Sequence, residues 1–371
     1  LGSVKETLIL IPGLMVITTP LINMRGAIAG IMVSRLSSAM HLGSFEVKYS
    51  RGTDLRENVI ASIHLTVILS LVLAIFGKLI CIIFGNDVMD FSNMVIISLI
   101  SGIVSGLIVT LIAIIISVIC YNKNLDLDII GNPTVATIGD IITLPVLVIT
   151  AILVNKLSHY ISHDLIFWVG LAAVIFTIIV TIISIKNSTK LVHEILSESI
   201  FLLVPLSLFG IVACTLYTSY IEDLINVAAV LILITPFMNG CGSIGSIMTS
   251  KIGTEMHMGL VQPDFIPSKH ILTHFIENYM YCIIILPFMG ILSHLFAKII
   301  GVYTPGLFTM ILLALGAGIA VITIVNIIGY YTAAISYRMG YDPDNFGVPV
   351  VTSTIDLIGA TAIILMLMIL I

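Results

Sequence analysis

Charged side chains are scarce in this chain. Only 9% of its 371 residues are Asp, Glu, Lys or Arg, whereas 59% are hydrophobic and the mean hydropathy is +1.20. Soluble domains carry about 25% charged residues. The composition therefore excludes a chain of soluble domains and predicts a multi-pass protein of the cell membrane, with the lipid bilayer as its surroundings. The net charge of −5 says little, because in a membrane chain the position of each charge matters more than the sum. No nucleic-acid partner is expected.

Cysteine motifs are missing as well. The five cysteines lie in or beside apolar runs and form no CxxC pair, so we expect them to be small apolar packing residues. The first residues also lack a basic start followed by a small-residue cleavage site. The sequence therefore predicts no cleavable signal peptide.

Long apolar runs take up most of the chain. Ten of them are long enough to cross about 30 Å of hydrocarbon. These predicted spans are 8–38, 59–84, 92–121, 134–156, 164–186, 197–219, 225–253, 272–300, 306–337 and 347–371.

One stretch of the chain occurs twice. Residues 19–43 and 235–259 agree at eleven of twenty-five positions without a gap, at a shift of 216 residues. The same shift places Asp140 on Asp356, and both follow a proline by seven residues. The chain is therefore an internal duplication.

The duplication predicts the organisation of the whole chain. It divides the sequence into a first transmembrane repeat (1–157), a connector helix (158–190) and a second repeat (191–371). The partner of span 197–219 would precede Leu1, so the first repeat is expected to lack its first helix. The predicted fold is all-α and polytopic, with two parallel five-helix repeats related by a pseudo-twofold axis along the membrane normal. Since such repeats replace a homodimer, we expect a functional monomer.

Basic residues predict which side of the membrane is cytoplasmic. Lys5, Lys78, Lys156 and Lys298 fall on one side, and Arg25 lies within a span. Ten others fall on the opposite side, which the positive-inside rule assigns to the cytoplasm. These are Arg35, Lys48, Arg51, Arg56, Lys123, Lys186, Lys190, Lys251, Lys269 and Arg338.

Asp140 and Asp356 are the leading candidates for a functional site. An ionised carboxylate within a span costs several kcal/mol unless it is paired or lines a water-filled path. Their spacing from the prolines predicts a depth of about 10 Å within each helix. Two acids facing each other across the pseudo-twofold axis would repel, and a bound divalent cation removes that conflict.

The repeated stretch supplies further candidates. Pro20 and Pro236 each remove a helical hydrogen bond, and the glycines after them allow the backbone to unwind or a neighbouring helix to approach. Carbonyl groups freed at this depth must be buried or line a cavity, where they suit a hydrated cation. The candidates in this stretch are Asn23 and Asn239 as amide ligands, and Gly26, Gly242 and Ser243 along the path.

Arg25 makes the two repeats unequal, because Cys241 stands at its position in the second copy. An intramembrane arginine needs an acidic partner, and Asp140 or Asp356 are the expected ones. Its charge is expected to compete with a bound cation as a gate or coupling element. The alternative is an arginine that reaches the interface from the end of its helix.

Other polar residues gather near the predicted cytoplasmic ends. Four acids precede the two acid-bearing helices and are expected either to collect cations at an inner mouth or to cap a solvated loop. His270 and His274 have the spacing of a metal pair, but no third ligand is evident, which favours an amphipathic loop helix. The four acids are Asp126, Asp128, Asp342 and Asp344.

These segments resemble the MgtE and solute carrier family 41 group of divalent cation transporters. The stretch beginning at Pro20 is similar to the first-half motif of that group, and the stretch beginning at Thr235 to its second-half motif. The segments around Asp140 and Asp356 resemble the last helix of the family, whose aspartate binds the ion. The resemblance implies transport of Mg²⁺ between two five-helix halves, with both aspartates as ligands and no cofactor. Two departures stand out: Ala27 and Ser243 replace the usual asparagine, and the cytoplasmic sensor domains of bacterial members are absent.

Two other functions fit the same features. Membrane acids and broken helices would also suit a proton- or sodium-coupled carrier of a small solute. Two membrane aspartates would also suit an intramembrane aspartyl protease, with Gly139 and Asp140 as half of a GxGD motif. Thr137 stands where that motif requires glycine, so the sequence favours transport and a protein that is not an enzyme.

Overall fold

Every regular element that the structure describes is an α-helix. The structure, a computed structural model, describes residues 14–83, 89–158, 163–186, 188–224 and 228–370, so Lys5 lies outside it. Ten helices match the ten predicted spans. They are α1 (Leu14–Leu42), α2 (Asp54–Ile83), α3 (Phe91–Lys123), α4 (Leu127–Ser158), α5 (His163–Lys186), α6 (Lys190–Leu224), α7 (Ala228–His257), α8 (Lys269–Ile300), α9 (Leu307–Arg338) and α10 (Pro343–Leu370).

The helices have the length and composition of membrane spans. Within the described residues, nine helices, α2 to α10, are long and apolar enough to cross a bilayer. Helices suit this environment because each one satisfies its backbone hydrogen bonds internally. α1 is 29 residues long and carries Arg25 and Arg35. The chain is therefore a multi-pass, all-α membrane protein, as the composition predicted, and the crossing by α1 stays a prediction.

The duplication is visible in the helix boundaries. α3 and α9 begin 216 residues apart, and so do α4 and α10. α1 and α7 end one and two residues before a glycine with positive φ, Gly43 at 75° and Gly259 at 72°. A left-handed residue stops a helix, and glycine adopts this conformation without strain. The repeated stretch therefore encodes the same helix and the same stop twice.

The described residues form two compact units. The first contains those up to Leu127 and Thr134–Cys214, and the second contains Asp128–Pro133 and those from Thr215 onward. In the first unit α1, α2 and α3 pack together, and α6 adds Val192 to their buried core. In the second unit α7 packs against α8, α9 and α10. The predicted repeat boundaries follow sequence pairing rather than packing, so they stay a prediction.

Helix α5, the predicted connector, packs against α3 and α2 of the first unit. A Cβ atom at Gly170 would lie 3.0 Å from the backbone Cα of Ser92, so the two helices approach closely here. The large side chains of Phe167, Trp168 and Phe176 are exposed. This outward face has the composition of a surface in contact with lipid.

The helices run unbroken through the two repeated prolines. α1 includes Pro20 and α7 includes Pro236 as interior residues. The expected unwinding of the backbone is therefore wrong for this structure. The close approach of a neighbouring helix is found instead, because a Cβ atom at Gly245 would lie 2.5 Å from a methyl carbon of Val325.

Candidate functional site

Asp140 and Asp356 lie at the same depth in their helices. Each stands thirteen residues after the first residue of its helix, α4 or α10, which is about 20 Å along the axis. The predicted depth of about 10 Å was too small because the helices begin at Leu127 and Pro343, one to two turns earlier than expected. Both aspartates are half-buried, and both have interaction partners in the structure.

In each unit the repeated stretch lies close to the acid-bearing helix. In the first unit, a Cβ atom at Gly139, next to Asp140, would lie 4.0 Å from the Cβ of Arg25. In the second unit, a Cβ atom at Gly242 would lie 4.0 Å from Thr352 Cγ2, one turn before Asp356. The internal geometry of each unit thus places its copy of the motif beside its copy of the acid.

The candidate ligands of the repeated stretch differ in exposure. Asn239 is exposed, while Asn23 and Ser243 are half-buried. The carbonyl of Gly242 accepts a hydrogen bond from Ser246 Oγ at 2.6 Å. One carbonyl proposed for a cation path is therefore already paired with a hydroxyl. Each of the two asparagines has an interaction partner in the structure.

Two glycines of this stretch have different surroundings: one lies in a helix contact and the other faces the proposed path. Gly245 touches Val325 and Val351, whereas no atom within the described residues lies within 4 Å of a Cβ atom at Gly26. We expect Gly245→Ala to lower stability by about 1–3 kcal/mol, because the added methyl overpacks the contact. Gly26→Ala should not lower stability and should raise it by up to about 1 kcal/mol, because alanine is the better helix former. Thermal unfolding in detergent measures both, and equal losses would contradict this assignment of the two faces.

Arg25 is fully buried and held by hydroxyl groups. Its Nη1 donates to Thr66 Oγ1 and its Nη2 to Ser70 Oγ, both at 2.8 Å. Cβ atoms at Gly102 and Gly106 would lie 3.0 and 2.8 Å from the same two nitrogens. The expected acidic partner is not found: within the described residues, no carboxylate lies at salt-bridge distance from the guanidinium. The two glycines of α3 leave space for the guanidinium, and the two hydroxyl side chains of α2 supply its hydrogen-bond acceptors.

The second repeat fills the equivalent place with apolar groups. Residues Arg25, Thr66, Ser70 and Gly106 correspond at the 216-residue shift to Cys241, Cys282, Leu286 and Ile322. All four of these side chains are buried. The asymmetry predicted from Arg25 alone therefore extends to a complete exchange of a polar cluster for an apolar one.

Two of the four predicted inner-mouth acids are buried in helices rather than solvated in loops. Asp128 and Asp344 lie in the first turns of α4 and α10 and are 1% and 3% exposed. Ser250 Oγ donates to Asp128 at 2.6 Å and Thr254 Oγ1 at 3.0 Å. The prediction of a loop failed because an acid in a first helical turn is stabilised by the helix dipole.

A histidine joins the acids in the second unit. His257 Nε2 lies 3.0 Å from Asp342 Oδ1 and 3.8 Å from Asp344 Oδ2. This cluster connects the end of α7 with the start of α10, where the basic residues predict the cytoplasmic side. His257 belongs to the repeated stretch, and His41 stands at the equivalent position of the first copy.

Comparisons with known proteins find the same duplication and a family of transporters. A family model described as MgtE, a divalent cation transporter, matches residues 18–150 and again residues 234–366, so that the two matches are also 216 residues apart. Solute carrier family 41 member 3 from Mus musculus is 23% identical over 379 aligned residues, covering 95% of this chain and 74% of the relative. No solved structure matches the chain.

Proposed function

Because the chain belongs to the MgtE family of divalent cation transporters, we propose that it carries Mg²⁺, or a divalent cation of similar chemistry, across the membrane. Mg²⁺ is the transported substrate in this proposal, and no resident cofactor is required. Membership of a transporter family also favours transport over the function of an aspartyl protease. One chain carries both aspartates, so we expect one chain to be sufficient.

The observation that carries the proposal is the duplicated acid. Asp140 and Asp356 stand thirteen residues into α4 and α10, in helices that are otherwise strongly apolar. A carboxylate at such a depth is costly unless a cation or water compensates its charge. Duplication at the same depth indicates a shared role. We infer that both aspartates bind one ion because their depths are equivalent and because the repeat pairs them in the sequence.

The chemistry of the ion suits two carboxylates. Mg²⁺ prefers oxygen ligands and gives up its hydration water reluctantly, so one or two carboxylates plus retained waters hold it well. Asn23 and Asn239 add amide oxygens in the same stretch of α1 and α7. Because conduction also requires release, binding must not be too tight. A mostly hydrated ion meets both conditions.

Arg25 supplies a fixed positive charge in this proposal. Its Cβ is close to Gly139, next to Asp140, while Thr66 and Ser70 hold its guanidinium. A positive charge near a carboxylate weakens the binding of a cation at that carboxylate. Arg25 therefore favours release of the ion. Because Cys241 stands at the equivalent position of the second repeat, only one side of the path carries this charge.

The acids at the helix starts form the entrance on the cytoplasmic side. Asp126 and Asp342 remain partly exposed, so they can attract cations from solution. Asp128 and Asp344 are buried and instead fix the helix ends, as the hydrogen bonds from Ser250 and Thr254 to Asp128 indicate. The two pairs of acids thus have different proposed roles.

Mg²⁺ flux into proteoliposomes tests this function. The purified chain should accelerate Mg²⁺ entry over empty liposomes, and an inward Mg²⁺ gradient alone should suffice if transport is channel-like. If Mg²⁺ entry instead requires an opposing sodium gradient, the protein exchanges Mg²⁺ for sodium. No Mg²⁺ flux under either condition, with uptake of an organic solute, would replace the proposal by the coupled carrier.

A further inference from the structure

A carboxylate that the sequence did not reveal joins His270 and His274. Glu255, in the last turn of α7, places its Oε1 3.1 Å from the Nε2 atoms of both histidines at the start of α8. The three residues each offer a ligand atom within 4.8 Å of the others. The third ligand missing from the sequence pattern is therefore present, fifteen residues before His270.

The spacing of these atoms suits a tetrahedral ion. Zn²⁺ binds histidine nitrogen and carboxylate oxygen at about 2.0–2.2 Å, which separates neighbouring ligand atoms in a tetrahedron by about 3.4 Å. The observed 3.1 Å separations need to widen only slightly. The His270 side chain is 55% exposed, so water can reach the fourth position.

A second carboxylate orients His274. Its Nδ1 lies 3.3 Å from Glu277 Oε2, and Lys251 Nζ lies 3.8 Å from the same oxygen. A metal-binding histidine commonly donates its other ring N–H to a carboxylate, which fixes the tautomer and leaves Nε2 for the ion. Glu277 therefore occupies the place of such an outer carboxylate.

The cluster belongs to the second repeat alone. At the 216-residue shift, Glu255, His274 and Glu277 correspond to Ala39, Asn58 and Ala61. In the first repeat Asn58 Nδ2 donates to a backbone carbonyl, that of Asp54, at 2.9 Å. The duplicated transport residues occur in both halves, whereas this set occurs once. Its role is thus separate from the shared path.

We propose that Glu255, His270 and His274 form a binding site for a transition metal ion such as Zn²⁺, distinct from the transport path. Two imidazoles and one carboxylate suit Zn²⁺, Co²⁺ or Ni²⁺, whereas Mg²⁺ prefers oxygen ligands. The bound ion links the end of α7 to the start of α8. Binding displaces the protons between the ligands, so the affinity falls as the pH is lowered.

Equilibrium dialysis of Zn²⁺ with the purified full chain in detergent tests this site, with excess Mg²⁺ present to occupy oxygen-ligand sites. We expect one saturable Zn²⁺ per chain that Mg²⁺ does not displace. His274→Asn and Glu255→Ala, which introduce the first-repeat residues, should each weaken binding by at least about tenfold, and Glu277→Ala by about 10–100-fold. His193→Asn is the matched control, since His193 is exposed and bonded only locally.

Two further measurements distinguish loss of the metal site from a failure to fold. His270→Gln changes an exposed side chain, so it should fold normally and still lose affinity. Co²⁺ bound to the unaltered chain should show the strong visible absorption of a tetrahedral site, and His270→Gln should abolish it. Absence of saturable Zn²⁺ binding, or equal binding by His270→Gln and His193→Asn, would overturn the proposal, whatever the outcome of the Mg²⁺ flux assay.

Discussion

Ser70→Leu is expected to lower the stability of the protein by about 3 kcal/mol. The substitution removes the hydroxyl that accepts from Arg25 Nη2 at 2.8 Å, and a buried charged donor without its acceptor costs about 1–3 kcal/mol or more. The larger side chain must also fit where the guanidinium packs against Gly102, which adds about 1–3 kcal/mol of overpacking. Thermal and denaturant unfolding in detergent measure the loss.

The second repeat provides the matched control for this prediction. In an Arg25→Cys background the leucine enters the space of the guanidinium, so its cost should fall below about 1 kcal/mol. Exchanging Thr66→Cys and Gly106→Ile as well reproduces the apolar set found at Cys241, Cys282, Leu286 and Ile322. An equal cost of Ser70→Leu with and without Arg25 would show that the two side chains are not coupled.

Asp140→Asn and Asp356→Asn are each expected to lower Mg²⁺ flux by at least about 100-fold. Asparagine keeps the shape of the side chain but removes its charge. At an effective dielectric constant of about 20, a unit charge 4 Å from a divalent ion contributes about 8 kcal/mol, much of it offset by desolvation. Flux into proteoliposomes, normalised to the amount of inserted protein, provides the measurement.

Glu46→Gln is the control for charge removal, because Glu46 is an exposed acid in the loop after α1. This variant should transport Mg²⁺ at the unaltered rate. If both aspartate variants also keep that rate, the acids serve the structure and not the ion. If only one loses flux, the two repeats contribute unequally to the path.

The helices and their duplication were predictable because they depend on local sequence. Apolar runs of membrane length specify the ten helices of the described residues, and the repeat at a constant shift of 216 residues accounts for the matching starts of α3 and α9 and of α4 and α10. The stop at Gly43 and Gly259 is equally local, since glycine adopts positive φ without strain. Helix starts were less predictable, because polar residues such as Asp128 resemble a loop until their burial is known.

The partners of buried polar groups were not predictable, because they come from distant parts of the chain. Arg25 was expected to meet an aspartate, yet its acceptors are hydroxyls forty-one and forty-five residues away. Hydroxyl residues are common in membrane helices, so Thr66 and Ser70 gave no signal. The sequence likewise gives no sign that Glu255 is a partner of the histidines. Only the packing of α7 against α8 brings it to His270 and His274.

The most direct test of the paired aspartates is the number of Mn²⁺ ions bound per chain, counted by electron paramagnetic resonance. Mn²⁺ stands in for Mg²⁺ because it accepts the same oxygen ligands. If Asp140 and Asp356 share one ion, either Asn substitution should remove one Mn²⁺, and the double variant should remove no more. Loss of two ions in the double variant, or of none in either single variant, would contradict the shared site.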